Sequence, residues 1–314
     1  MKLNVETHEI TDRESWLALR RQDVTATDIG TLAGANPYAG PFAVYADKAG
    51  HKPAMDSDAM KRGRWHEAAI VEMLQEERPD WKTSRAKVYL RAPELRLGST
   101  PDGFVIKPNG KRGILECKSV TRNVFDSQWT EDQPPLRYVL QALTNAMLAD
   151  ADFAVVAALV RMSDNADRPV IIELERHAGA EARIRELAAD FWTKFEANDW
   201  PEPSYNLDLD IIEARWRNVK LDKIDLTTHN RAGELAQQYL EWAERRRNCE
   251  GALDVLKAEL IDALKGADVA IHPDFNISWK EQSRKEVTVA ASSFRVLRVT
   301  KKKAKATASE TEEA

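Results

Sequence analysis

Two short stretches of this sequence carry acidic and basic side chains at a spacing that could act on one atom. Ser99-Thr100-Pro101-Asp102-Gly103 is followed by Gly113-Ile114-Leu115-Glu116-Cys117-Lys118. Strand side chains alternate between faces, so Glu116 and Lys118 point one way while Leu115 and Cys117 point toward packing. Asp102 lies in a turn one short strand earlier, and a hairpin between the two segments brings its carboxylate beside Glu116. Two carboxylates so placed offer hard oxygen ligands to Mg²⁺. A cation there polarises a phosphoryl group and makes its water more acidic. An adjacent lysine orients that water or stabilises charge developing on the phosphate. The chemistry that needs such a set is phosphodiester hydrolysis. A Glu-x-Lys pair on a strand is also ordinary surface charge, and the Pro-Asp-Gly at this distance lifts the set above that reading.

The surrounding sequence supplies elements to hold these groups. Thr11–Leu19 reads as a short helix capped by Thr11 or Asp12, with Glu14 completing a capping box. Thr25–Gly34 and Phe42–Ala49 are two more short helices. Ala59–Glu77 is a longer one, with Trp65, Ala69, Ile70, Met73 and Leu74 on its apolar face and Pro79 closing it. Lys87–Leu90, Leu97–Ile106 and Gly113–Ser119 carry strand patterns, the second around the Pro-Asp-Gly turn. Tyr138–Leu148 is helical, Phe153–Arg161 is a buried strand that Val170–Leu174 can pair with, and Ala180–Ala197 is an amphipathic helix. The expected fold is α/β, a mixed central sheet flanked by helices.

Asn198-Asp199-Trp200-Pro201-Glu202-Pro203 breaks the pattern, so residues 1–205 read as one domain and 206–300 as a second region. In that region Leu235, Tyr239, Trp242, Arg246, Cys249, Leu253, Leu256, Leu260 and Ala263 recur by alternating fours and threes. This is a heptad seam on one long helix, with Arg246 as its polar break. Such a helix needs a partner: the first domain, an earlier helix or another subunit, with packing inside the chain the simplest expectation. Ala270–Lys280 and Glu286–Val299 look like strands or a hairpin, and residues 301–314 like a mobile tail.

Bulk composition narrows the setting. Of 314 residues, 43% are hydrophobic and 31% charged, enough apolar matter for a core under a well-solvated surface. Two cysteines far apart match no metal spacing and suit a reducing cytoplasm. The sequence has neither an apolar run of membrane-spanning length nor a signal-peptide pattern at its start, so a cytoplasmic location is expected. The net charge is −5, so any DNA contact must be a local positive groove. Candidate pieces are Arg20 and Arg21; Lys61, Arg62 and Arg64; Lys82, Arg85 and Lys87; Lys111 and Arg112. Each such cluster is also what a solvated face looks like.

Over residues 12 to 203 the sequence resembles the PD-(D/E)xK nucleases, specifically the YqaJ-type viral recombinase nucleases related to lambda exonuclease. Four motifs carry the likeness in order. Trp16-Leu17-Ala18-Leu19-Arg20 with Val24-Thr25-Ala26-Thr27-Asp28-Ile29 is similar to the family's N-terminal motif, which implies that Arg20 and Thr27 bind the phosphate at a DNA 5′ end. Guanidinium forks suit phosphate oxygens; a threonine here can also simply cap a helix. Arg62-Gly63-Arg64-Trp65-His66-Glu67 resembles a helix motif whose glutamate lies near the metal, with Arg62 where tryptophan is usual. Glu67 therefore depends on the resemblance, and His66 receives no role. Asp102, Glu116 and Lys118 form the core, joined by the Cys117 backbone carbonyl as a metal ligand and by Thr100 at the phosphate. Around the place of an upstream aspartate this chain has Ala92 or Pro93, with Glu94 nearby. Tyr138-Val139-Leu140-Gln141 resembles the family's Y-x-x-Q helix, which directs Gln141 at the site with Tyr138 on the same face. Leu140, Leu143 and Met147 equally suit a half-buried amphipathic helix.

The resemblance implies a Mg²⁺-dependent (Mn²⁺ as substitute) 5′-to-3′ exonuclease acting on double-stranded DNA ends and leaving a 3′ single strand. That strand would pass to a single-strand annealing protein in phage-type recombination and repair. It also implies a homo-oligomeric ring, trimer or tetramer, with no membrane role. Other readings are a non-catalytic DNA-end-binding scaffold docking through the long helix, and a structure-specific endonuclease with the same chemistry.

Overall fold

The computed structural model describes residues 3–51, 57–130, 133–162, 166–219, 223–283 and 295–301. The chain divides into two compact units, residues 1–218 and 219–314.

In the first unit β1 (Glu6–Glu9) leads to α1 (Arg13–Gln22), then β2 (Val24–Thr25), α2 (Ala26–Leu32), α3 (Pro41–Lys48) and α4 (Asp58–Glu77). The cap of α1 is Asp12, whose carboxylate accepts from the Ser15 amide at 2.8 Å. Glu14 makes no capping box, because Ser15 occupies the position from which a side chain would reach back. Thr25 is the N-cap of α2, and Asp28 reaches back to the Thr25 amide at 2.9 Å and hydroxyl at 2.8 Å. On α4 the buried positions are Ile70 and Leu74. Trp65 is 74% exposed and Ala69 is exposed too, so the apolar stripe is narrower than expected and covers only the C-terminal half of the helix.

Strands follow: β3 (Lys82–Arg85), β4 (Val88–Ala92), β5 (Leu97–Ser99), β6 (Gly103–Ile106) and β7 (Arg112–Thr121). The Leu97–Ile106 stretch is thus two strands in different sheets, split at Thr100-Pro101-Asp102, where proline has no amide to donate. The short α5 (Arg122–Gln128), which carries no clear periodic signal, leads through α6 (Leu136–Leu148) to β8 (Phe153–Arg161), β9 (Asp167–Glu175), α7 (Ala178–Glu196) and α8 (Leu209–Arg217).

Two sheets result. The larger is mixed, ordered β3-β6-β7-β8-β9, with β7 and β8 parallel and the other pairs antiparallel. The smaller is β1-β4-β5-β2. The parallel pair requires a crossover, supplied by α5 and α6. Strand β8 (FAVVAALVR) lies between neighbours on both edges and is buried on both faces, which is why it is nearly all apolar. One face packs Ile114, Val156 and Ala158 with Ala142 and Ala146 of α6; the other packs Leu115, Cys117 and Val155 with Ile70 and Leu74 of α4. This is the mixed α/β core flanked by helices that the sequence leads one to expect. Past the Pro-rich segment, α8 sets Ile211 against Phe42, Ala43 and Ala46 of α3.

The second unit holds α9 (Ala232–Leu264), then the antiparallel pair β10 (Val269–Ile271) and β11 (Asn276–Ser278). Within the second unit, the described residues leave the heptad seam largely uncovered. Leu235, Tyr239, Trp242, Leu253, Leu256 and Leu260 are exposed, and of α9 only Leu264 is buried among the described residues. Two three-residue strands provide too little apolar surface to cover a 33-residue helix. The Glu286–Val299 expectation falls largely outside the described residues, as does all of the tail after Lys301; residues 295–301 have no regular structure.

The smaller sheet closes around a buried charge. Asp23 accepts from Tyr89 Oη at 3.1 Å and from Arg91 Nε at 3.0 Å, and the Tyr89 ring fills the space over Gly98. A Cβ on Gly98 would stand 1.9 Å from the Tyr89 hydroxyl. Gly98→Ala is therefore expected to lower unfolding free energy by about 1–3 kcal/mol through overpacking, read from urea denaturation monitored by tryptophan fluorescence.

Candidate active site

The site assembles where β6 begins and β7 runs on past it. Gly103 pairs with Leu115, so Asp102 sits opposite the next residues of β7. Its amide donates to the Leu115 carbonyl at 3.1 Å, and its carboxylate accepts from the Cys117 amide at 2.7 Å. The N–H and C=O of a strand residue project to the same edge. The Cys117 carbonyl therefore faces the edge that Asp102 occupies, while its side chain is packed under α4. Burial, then the neighbouring carboxylates, push that thiol up, so the sulfur is inert.

Glu116 and Lys118 project to the opposite face, under α6. Lys118 Nζ donates to Glu116 Oε1 at 2.6 Å and to Gln141 Oε1 at 3.2 Å, and lies 4.7 Å from the Tyr138 ring centre. Asn145 Nδ2 donates to Glu116 Oε2 at 2.8 Å. Tyr138, Gln141 and Asn145 are three and four residues apart, so one face of α6 presents all three. The Gln141–Asn145 spacing was visible in the sequence, and Asn145 is the partner that motif matching passed over. The other face of α6 buries Leu140, Leu143, Met147 and Leu148, so both readings of this helix hold at once.

Glu67 comes from α4. Its carboxylate is half-buried, 3.6 Å from Arg85 Nη2, and its pKa is raised by burial and then by Asp102. Asp102 is raised by burial, against the pull of Lys118. Glu116 is pushed up to about 8 by burial, with Asp102 and Glu67 adding to the rise and Lys118 opposing it. Burial alone would depress Lys118, but Glu116 and Asp102 outweigh it and raise its pKa. Three carboxylates thus crowd one ammonium, with Arg85 at the rim. Burial and like-charge crowding both disfavour the ionised carboxylates, which is why all three pKa values are raised. No group of three His, Cys, Asp or Glu side chains is gathered as a ready metal cage among the described residues. Two carboxylates and a backbone carbonyl do suit Mg²⁺, which keeps several waters and takes few protein ligands.

A second group of residues from the first motif lies around the start of α2. The Arg20 guanidinium stacks over Trp16 at 4.8 Å and donates to Thr25 Oγ1 at 3.4 Å. Thr27 is the second residue of α2 and is exposed. Trp16 Nε1 donates to Thr100 Oγ1 at 3.0 Å, tying α1 to the residue two before Asp102. Gly30 lets α2 lie directly on α6, since a Cβ there would be 2.9 Å from Arg137 Cβ. The structure therefore holds both groups against α6, through Gly30 and through Gln141 and Asn145. Sequence reading missed what supports Arg20: the Lys48 side chain, 1% exposed, bonds Asp28 at 2.9 Å and the Arg20 carbonyl at 3.0 Å.

The family model of the YqaJ-like viral recombinase domain matches residues 15–152. An uncharacterized protein YqaJ of Bacillus subtilis (strain 168) is 24% identical over 275 residues, spanning 85% of this chain and 83% of that protein. Among solved structures, the alkaline exonuclease LHK-Exo from Laribacter hongkongensis is 18% identical, with 60% of this chain and 94% of that one covered at a TM-score of 0.46. A phage related exonuclease from Haemophilus somnus 129PT is 9% identical, covering 58% and 99%, at a TM-score of 0.36.

The Lys48–Asp28 pair generates a prediction. Burial works against the Asp28 charge, but Lys48 and Arg20 hold its pKa down to about 2. A folded value below the unfolded one adds stability that is complete above about pH 4 and lost as pH falls toward about 2. Lys48→Met is expected to cost about 3 kcal/mol at neutral pH, since it strands a part-buried carboxylate. It should also flatten the acid limb between those pH values, both read by urea denaturation across pH.

Proposed function

We propose, from the match of residues 15–152 to the YqaJ-like viral recombinase domain, that this protein is a metal-dependent nuclease acting on linear double-stranded DNA. The observation that carries the reading is the gathering of Asp102, Glu116 and Lys118 where β6 begins beside β7, with the Glu67 carboxylate near enough to act on their charges. Asp102, Glu116 and the Cys117 carbonyl would hold Mg²⁺ (or Mn²⁺), with Glu67 at its margin. When bound, the ion supplies positive charge that polarises the phosphoryl oxygens. Lys118, held between Glu116 and Gln141, is placed to orient the attacking water and to donate to oxygens that gain charge. Asn145 fixes the Glu116 carboxylate so that it need not reorganise. Tyr138 limits water on the lysine's open side.

The finer reading is a 5′-to-3′ exonuclease that leaves a 3′ single strand for a single-strand annealing protein, working as a cytoplasmic homo-oligomeric ring. Arg20 and Thr27 would take the 5′ phosphate, with Thr100 nearer the scissile phosphate. Two points support this: Arg20 stacks on Trp16, and Trp16 bonds Thr100, so end recognition and chemistry share one framework.

Linear duplexes with and without a 5′ phosphate, incubated in Mg²⁺ and in EDTA, test the reading. Mg²⁺-dependent loss of linear DNA is expected; cutting of covalently closed circles would favour an endonuclease instead. Lys118→Ala should lower cleavage by at least about a hundredfold, the scale of losing a transition-state donor, and leave duplex binding near wild type. Arg20→Ala should instead erase the preference for 5′-phosphorylated ends. If the two variants failed in the same way, the division between chemistry and end recognition would be wrong.

A further inference from the structure

A cleft outside the carboxylate cluster is lined by Arg62, His66, Ser119, Thr121, Arg161 and Asp167. It lies at the C-terminal ends of the parallel strands β7 and β8, where α/β sheets place ligands. Several placements converge there. Arg62 and His66 are one turn apart on α4 and share a face. Ser119 and Thr121 share a face of β7, and Thr121 pairs in register with Arg161 of β8. His66 Nδ1 and Ser119 Oγ are 2.9 Å apart, which closes α4 onto the end of β7. Among the described residues neither the Arg62 nor the Arg161 side chain has a hydrogen-bond or ion-pair partner, although Asp167 stands opposite Arg161 in the β8–β9 register. Two guanidinium groups and two hydroxyls against one carboxylate make an anion site, with the forked donors that phosphate oxygens accept.

The cleft adjoins the reaction centre through the chain itself. Ser119 follows Lys118, and His66 precedes Glu67. Lys118 points to the α6 face and Ser119 to the α4 face, so a strand of DNA crossing the end of β7 meets both. We infer that this cleft binds a backbone phosphate of the DNA flanking the one being cut, gripped by Arg62 and Arg161 and positioned by Ser119 and Thr121. The inference rests on the nuclease reading, and it gives Arg62 a purpose: this chain carries a cation where the motif usually has tryptophan.

The test is fluorescence anisotropy of a labelled, 5′-phosphorylated duplex, titrated without Mg²⁺ across a series of salt concentrations. R62A/R161A should bind on the order of tenfold more weakly, for 5′-phosphorylated and unphosphorylated ends alike, and lower the salt slope by about 1, the share of one phosphate. R62K/R161K should restore the slope, because charge rather than shape sets counterion release. Wild-type affinity and slope in the alanine variant overturn the inference. So does a loss that the lysine variant, melting like wild type, fails to recover. Wild-type protein that binds duplex with its full slope yet cuts nothing in Mg²⁺ sinks the nuclease reading separately, and leaves the cleft to be judged by the same slopes. Wild-type protein that does not bind duplex at all overturns both.

Discussion

Glu116 is 1% exposed, and its carboxylate meets Lys118 on one oxygen and Asn145 on the other. A charge at that depth is tolerable only where the surroundings are fixed to receive it. Much of the first unit follows from that requirement. Strand β7 has to stay rigid, so it lies inside the sheet with β8 bonded along its length. Helix α6 has to stay in register above it, so its outer face is anchored by Leu140, Leu143, Met147 and Leu148. Asp102 has to be held next to a like charge, and the Cys117 amide at 2.7 Å does this by giving its carboxylate a donor the repulsion cannot remove. The carboxylates remain in excess over Lys118, and burial answers that excess by raising the pKa values of Asp102 and Glu116.

Much of this could be read from the residues. Strand β8 was legible to its boundaries, because a short apolar run that holds three valines and a phenylalanine and closes on Arg161 suits a strand buried on both faces better than a helix. The facing of Glu116 and Lys118 followed from a period of two, and the position of Asp102 from a hairpin. What escaped reading depends on distance along the chain. The Leu97–Ile106 segment has one alternating pattern, yet Leu97–Ser99 joins one sheet and Gly103–Ile106 another. Which neighbours a strand finds is set by partners seventy residues away as much as by its own pattern: Val24 pairs with Leu97. Likewise Lys48 looks like any helix-ending lysine, and only the folded chain brings it against Asp28 and the Arg20 carbonyl. Trp65 erred the other way, since an aromatic at helical spacing usually packs inward, and here it stands in solvent.

Helix α9 is a separate matter. Its 33 residues keep a heptad seam with Arg246 at one inner position, and the described residues of its unit leave most of that seam exposed. A helix of this kind draws little of its stability from its own unit, which explains why its sequence carries many strong helix formers (Ala, Leu, Glu and Arg) and Gln–Glu contacts one turn apart.

The pairing of β2 with β5 has a consequence for how the first unit comes to exist. Two residues, Val24 and Thr25, must be met by Leu97 and Gly98, and the adjoining α2 must then be met by Arg137 of α6. The loops that these meetings close are long, and the entropy of closing them is spent before the contacts are made. As the chain leaves the ribosome, its first helices therefore have no fixed place for as long as it takes to add more than a hundred further residues. Arg20 and Thr27 therefore take their final positions only once the strands bearing Asp102, Glu116 and Lys118 and the helix that follows them are available to pack against.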